Sequence, residues 1–355
     1  MAETQGDPVD AVIFMIRGQW VSLSIRAAVE LGVFDHLDTP RTIADLAAAT
    51  GSDPATLARL VRVLADAGLL ARAADTDRVS RTLLGETLAA DHPSRVRDLA
   101  LMQTELPPMA SWQRLADAVR TGRSVFEAAN GIGPWESLSA NPEQEATFND
   151  AMARRGVEQA GAIFAAADLT GVELLVDVGG GRGGMLAEVL RAVPGLHGVV
   201  ADRPEVARAA QQFFADSGLA DRASGVGVDF FESVPAGGDV YVMSNVLHDW
   251  DDEAAVRILT TTRAAMAPEG RLWVLERLLD AADRPFEGQR DLHLIDLHML
   301  VMFGARERTL AEYDALLSAA GFGPGVPLST PGAWDIVETH PRPEPVQGGP
   351  DARIQ

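Results

Sequence analysis

The sequence has 355 residues, a formal net charge of -21 and no cysteine. The length exceeds one ordinary core and implies two or more domains. The acidity disfavours binding to nucleic acid or to an anionic membrane, and the lack of cysteine excludes disulfides, thiolate metal sites and cysteine nucleophiles. No uninterrupted apolar run approaches the roughly 18 residues of a membrane span. The polar start MAETQGDPVD is unlike a secretory leader, so a soluble, cytoplasmic protein is expected.

Residues 10–34 place Ile13, Ile16, Trp20, Leu23 and Ala27 at helical spacing, with Gly32 as a stop. Residues 42–70 divide at Gly51-Ser52-Asp53-Pro54 into two short helices, with Asp53 as a candidate cap and Pro54 as the first helical residue of the second. Gly68 closes that helix, and a small hairpin follows to about Val79. This is a winged-helix layout. A DNA-reading role, with Arg59 and Arg62 on the second helix, competes with an interaction or dimerisation role, and the acidity of the chain favours the latter. Residues 94–167 read as all-helical, with loops at Glu105–Pro108 and Gly131–Pro134.

From residue 173 the pattern alternates. ELLVDV is a buried strand, RGGMLAEVLRAVPG a helix and LHGVVAD a second strand. A helix over 204–217, strands near 224–228 and 239–244, a helix over 252–267 and a strand over 271–277 follow, then a helix over 309–320 and a last strand near 334–338. Strands alternating with helices predict an α/β fold with a doubly wound, mainly parallel sheet. The expected division is an N-terminal winged-helix-like domain over 1–93, a helical linker over 94–167, a ligand-binding domain over 168–342 and a flexible tail over 343–355.

Gly179-Gly180-Gly181-Arg182-Gly183-Gly184 fits G-x-G-x-x-G between a strand and a helix. Glycines let backbone approach a ligand, and a helix N-terminus offers free amides. A nicotinamide dinucleotide would use Asp202 for a ribose. S-adenosylmethionine needs the same acid, and two features favour it. Asp177 sits just before the glycines, and Asp229-Phe230 offers an acid for the adenine amino group beside a ring to stack on it. Beyond the strand over 239–244, His248 is followed by Asp249, Asp251, Asp252 and Glu253. These are metal-ligand types. Three of the acids open a predicted helix, where the dipole favours negative charge, so no metal is expected.

LVDVGGGRGG, DFFESVP, VLHDWDDE and ARERTLAEYDALLSAAGF follow the winged helix in that order. Together they resemble the S-adenosylmethionine-dependent small-molecule O-methyltransferases, plant caffeate-type enzymes and bacterial enzymes that methylate aromatic polyketides and other natural products. The resemblance runs from about residue 10 to 340. It implies a Rossmann-like methyltransferase domain behind a mainly helical winged-helix dimerisation domain, and a homodimer joined through the N-terminal domains. It implies that Gly179 and Gly181 contact the cofactor, Asp202 the ribose hydroxyls and Asp229 with Phe230 the adenine, with Ser244 facing the cofactor. Arg155 is a candidate for the methionine carboxylate, or else a solvated helix arginine.

The reaction is an in-line displacement, and a phenol with an ordinary pKa near 10 needs a base. By resemblance that base is His248, flanked by Glu276 and Glu307. Trp112, Met152, Met299, Met302 and Phe303 would line a pocket for a planar aromatic acceptor. Three other readings stay open: a relative drifted to hydroxylation or decarboxylation, a winged-helix ligand-sensing regulator, and an NAD-dependent oxidoreductase.

Overall fold

The computed structural model describes residues 7–73, 77–281, 286–328, 330 and 334–343, without the side chains of residues 150, 153–155 and 286–288. The tail expected over 343–355 lies almost wholly outside the described residues. The chain divides into two compact units, Met1–Gln113 with Ala129–Arg154, and Arg114–Ala128 with Arg155–Gln355. The division runs through the 94–167 segment, inside the helix Pro142–Ala166.

In the first unit the helix expected over 10–34 is two helices, Pro8–Ile16 and Gly18–Glu30, bent by 41°. Gly18 lowers helix propensity at the break, and Gly32, at φ 70°, ends the run. The next two helices are both capped, the second by Asp53 as expected. Thr42 accepts from the Asp45 amide before Ile43–Thr50, and Asp53 accepts from the Thr56 amide at 2.9 Å before Pro54–Asp66. Strands β1 (Arg41–Thr42), β2 (Leu70–Arg72) and β3 (Arg78–Arg81) form an antiparallel sheet in the order β1-β3-β2. Leu57, Val61 and Leu64 press one helical face onto a core with Phe34, Leu46, Leu70 and Val79. Arg59 and Arg62 remain exposed on the other face.

The loop expected at Glu105–Pro108 is instead the start of a helix, Leu106–Trp112. Prolines in a first turn lose no helical hydrogen bond, so they open a helix as readily as they break one. No single described helix is long and apolar enough to cross a membrane, although the bent pair at the N-terminus passes that test jointly on length and composition. Helix Pro8–Ile16 has no buried residue, and Val9, Phe14, Met15, Ile16 and Trp20 are all at least 60% exposed.

The second unit is built on β4 (Leu174–Val178), β5 (His197–Asp202), β6 (Ala223–Gly227), β7 (Val240–Ser244), β8 (Arg271–Glu276), β9 (Val326–Leu328) and β10 (Asp335–Thr339). Their order is β6-β5-β4-β7-β8-β10-β9, parallel from β6 to β8 and antiparallel at β10 and β9. The doubly wound sheet is as expected, with β9 an addition. The chain winds one way from β4 and the other way from β7, which opens a crevice at their carboxyl ends, where ligands of such sheets bind. One face is covered by Pro142–Ala166, Gly184–Ala192 and Pro204–Asp216, the other by Asp252–Ala265 and Leu310–Ala319. Helix Phe286–Phe303, absent from the sequence reading, follows β8.

Part of the glycine turn is required by packing alone. Gly183 has φ 80°, and a Cβ there would lie 2.3 Å from Cζ of Phe214. Gly195 has φ 89° but open space around it. Strain and overpacking together predict that Gly183→Ala costs about 3 kcal/mol of unfolding free energy, against about 1 kcal/mol for Gly195→Ala. Equal losses in denaturant titrations would show that the Phe214 contact is irrelevant.

Candidate active site

Strand β4 is buried from Leu175 onward and delivers Asp177 to the carboxyl edge. The chain then turns through Gly179 and Gly181, both at positive φ, and enters the helix Gly184–Ala192. A Cβ on Gly180 would lie 2.5 Å from the Asp177 carboxylate, whereas nothing lies within 4 Å of one on Gly181. The turn is thus closed underneath and open above. Asp202, ending β5, accepts from the Gly181 amide at 2.9 Å and from the Arg203 amide at 2.7 Å. Burial nevertheless raises its pKa against those two bonds.

Asp177 is 1% exposed, and neither of its oxygens has a hydrogen-bond partner among the described residues. Burial, then the charge of Asp202, pushes its pKa up to about 7. In the β4–β7 register Asp177 lies beside Val242, so Ser244, two residues on, leaves the sheet on the same face. The Ser244 hydroxyl is likewise buried without a partner. Asp229, beyond β6, accepts from the Phe231 amide at 2.9 Å and is otherwise exposed. The Phe230 ring meets Trp250 edge-on, with centroids 5.9 Å apart.

After β7, Asn245 adopts φ 53°, a conformation asparagine tolerates better than most residues. This turns the chain into a 3₁₀ turn, Leu247–Asp249, that carries His248. Glu276, ending β8, accepts from the amides of Val246 and Leu247 at 3.2 and 3.1 Å through Oε1. Its Oε2 lies 3.7 Å from His248 Nδ1, and Glu307 Oε1 lies 2.9 Å from the same nitrogen. Glu307 is held in turn by its own amide, which donates to Asp296 at 2.9 Å. His248 is 4% exposed, and each glutamate 1%.

Burial opposes charge on the imidazole, but Glu276, Glu307 and Asp249 outweigh it and push the His248 pKa up to about 10. Burial pushes Glu276 up to about 7, with Glu307 and Asp249 adding to it and His248 and Arg308 opposing. The three side chains bring ligand-type atoms within 4.8 Å of one another, a grouping that could hold a cation. It differs from the acid run beside His248 that the sequence suggested. There, Asp251 caps the helix Asp252–Ala265 by accepting from the Ala254 amide, and Asp252 binds Arg306 and Arg308.

The other expected residues lie on three helices. Met299 and Met302 are buried, and Phe303 half-buried, at the end of helix Phe286–Phe303. Trp112 ends the helix Leu106–Trp112 and Met152 lies on Pro142–Ala166; both belong to the first unit and are half-buried. The Arg155 side chain lies outside the described residues. The sequence reading missed Arg308, a fully buried arginine adjoining Glu307.

Residues 112–323 match the O-methyltransferase domain model, and residues 14–91 match the O-methyltransferase dimerisation domain. The chain is 40% identical to a mitomycin biosynthesis 6-O-methyltransferase of Streptomyces lavendulae over 308 residues, 86% of this chain and 87% of that protein. It is 38% identical to the aclacinomycin 10-hydroxylase of Streptomyces purpurascens, covering 84% of this chain and 80% of that one. An O-methyltransferase from neocarzinostatin biosynthesis, solved with S-adenosylmethionine and 2-hydroxy-5-methyl naphthoic acid, superposes with TM-score 0.76 at 34% identity, over 90% of this chain and 95% of the other.

The chain belongs to the O-methyltransferase family. It is an S-adenosylmethionine-dependent O-methyltransferase, with a dimerisation domain ahead of its catalytic one. The residues present fit that cofactor: an open glycine turn, an acid at the end of β5, and buried unpartnered oxygens of Asp177 and Ser244 at the edge between β4 and β7.

Between the ordinary carboxyl value of 3.8 and about 7, folded Asp177 holds a proton that the unfolded chain has released. Its contribution to stability is therefore present below the lower value and is lost as pH rises through the upper one. The melting temperature of Asp177→Asn should accordingly fall less than that of the wild type between about pH 4 and pH 7. Parallel curves would mean that Asp177 is ionised in the fold.

Proposed function

We propose that the protein methylates a phenolic hydroxyl of a small aromatic natural-product intermediate, with His248 as general base. The observation that carries this is the buried His248, its Nδ1 2.9 Å from Glu307, standing beyond β7 beside the glycine turn. S-adenosylmethionine, when bound, supplies a methyl group already activated on a sulfonium. In this reading Gly179 and Gly181 meet it through their backbone, Asp202 holds its ribose, Asp229 and Phe230 hold its adenine, and Ser244 faces it. Arg155 belongs to the same reading as the partner of the cofactor carboxylate. In this reading Met299, Met302 and Phe303 line the acceptor pocket.

Glu307 takes the Nδ1–H of His248, which fixes the tautomer and leaves Nε2 as the acceptor for the phenolic proton. Glu276 steadies the turn through two amides and adds negative charge for the imidazolium that forms. A pKa near 10 matches that of a phenol and makes proton transfer nearly even, but it leaves little of the imidazole as free base at neutral pH. It also means that the base form grows with pH across the neutral and alkaline range. The same three side chains act here as a proton relay, without a metal.

The mitomycin and neocarzinostatin relatives support an aromatic natural-product acceptor. The hydroxylase relative supports a second reading, a drifted activity. The intact histidine with two buried glutamates favours methyl transfer to a hydroxyl, a reaction that calls for a base. The exposed apolar residues of helices Pro8–Ile16 and Gly18–Glu30, with the dimerisation-domain match, support a homodimer formed through the N-terminal domain. The net charge of -21 supports a reading without a nucleic-acid partner.

The test is turnover against a panel of phenolic intermediates, with S-adenosylhomocysteine as the readout. His248→Ala should bind S-adenosylmethionine in calorimetry as the wild type does, while turnover falls by roughly two to four orders of magnitude. Wild-type turnover in that variant would remove His248 from the role of base. In the wild-type enzyme kcat/KM should climb from pH 7 towards a plateau near pH 10, where the free imidazole becomes the main form. A flat profile over that range would contradict the assigned protonation.

A further inference from the structure

Arg308 has no solvent exposure and stands one residue beyond Glu307. A buried guanidinium is tolerated only when its donors are satisfied, so its partners show what it holds. Nη1 donates to the Leu247 carbonyl at 2.8 Å, and Nη2 to the Trp250 carbonyl at 2.8 Å. Nη2 and Nε donate to Asp252 Oδ1 at 2.8 and 3.1 Å. Leu247 and Trp250 bracket His248, and Asp252 is the first residue of the helix behind the turn. The Arg308 carbonyl accepts from the Leu279 amide at 3.1 Å, just past β8 and Glu276. One side chain thus fastens both ends of the His248 turn to the segment that presents Glu307.

We propose that Arg308 is a positioning residue that keeps the His248 imidazole against Glu307, its planar fork setting the spacing between the turn and the glutamate. This rests on the reading of His248 as base but concerns only where the imidazole sits. Lysine carries the same charge as a single point and cannot span two carbonyls and a carboxylate. Charge alone therefore cannot substitute for the fork. Arg306, beside it in sequence, is about half exposed, binds Asp252 and Glu312, and makes no such bracket.

The experiment follows His248 by NMR in full-length enzyme labelled with 15N-histidine, its signal assigned by its loss in His248→Ala. Wild-type His248 should titrate near 10. Arg308→Lys, with S-adenosylmethionine affinity retained as the check on folding, should titrate at a pH lower by at least about 1, because the imidazole has lost its grip on Glu307. An unchanged titration would overturn the proposal. If Arg308→Lys does not fold, Asp252→Asn removes the ionised acceptor of the guanidinium at a half-exposed position and is read the same way. Should His248→Ala keep full turnover while Arg308→Lys lowers the titration, the base reading fails and the positioning role stands.

Discussion

The hydrogen bond between His248 Nδ1 and Glu307 joins residues 59 apart in sequence, at a depth where each is at most 4% exposed. With so little water to share the charge, the distance between turn and glutamate sets how strongly the imidazole holds a proton. Several elements serve that distance. Asn245 turns the chain out of β7, Glu276 grips the amides that follow, and Arg308 holds the carbonyls on either side. Glu307 itself is fixed by Asp296 from the preceding helix. Removal of Glu276 or Arg308 leaves buried polar groups without their partners, which costs more than the bonds themselves gain.

The glycine turn shows two pressures acting on one motif. Gly180 and Gly183 are small because Asp177 and Phe214 press on them from within the fold. Gly181 has open space and an amide already capped by Asp202. The motif therefore carries both a packing demand and a binding demand, and only the second concerns a ligand. Its carboxylates also differ: Asp202 rests on two amides, whereas Asp177 has none and keeps its proton to about pH 7.

Much of this edge was legible in the sequence, because strand, glycine turn and helix leave strong periodic marks. All the parallel strands fell close to their expected positions, and so did the residues at their ends. Distances between chain segments were not legible. Nothing in the spacing of His248, Glu276 and Glu307 says that they meet; only the family resemblance did. The acids beside His248 looked like its partners, yet Asp251 caps a helix and Asp252 answers two arginines. Helix Phe286–Phe303 was passed over although Leu292, Ile295, Met299 and Met302 recur at helical intervals and are all buried. Arg308 was hidden for another reason: in sequence it is one more charged residue in ARERT, and only burial sets it apart from Arg306. Residues 105–108 misled because prolines both break helices and begin them.

The formal charge of -21 counts every carboxyl as ionised and every histidine as neutral. The fold departs from that count at its own carboxyl edge, where burial keeps a proton on Asp177 up to about pH 7 and the glutamates beside His248 keep one on the imidazole. At neutral pH the edge therefore holds less negative charge than its residue types imply, because a buried acid there can stay neutral and a buried histidine can stay charged.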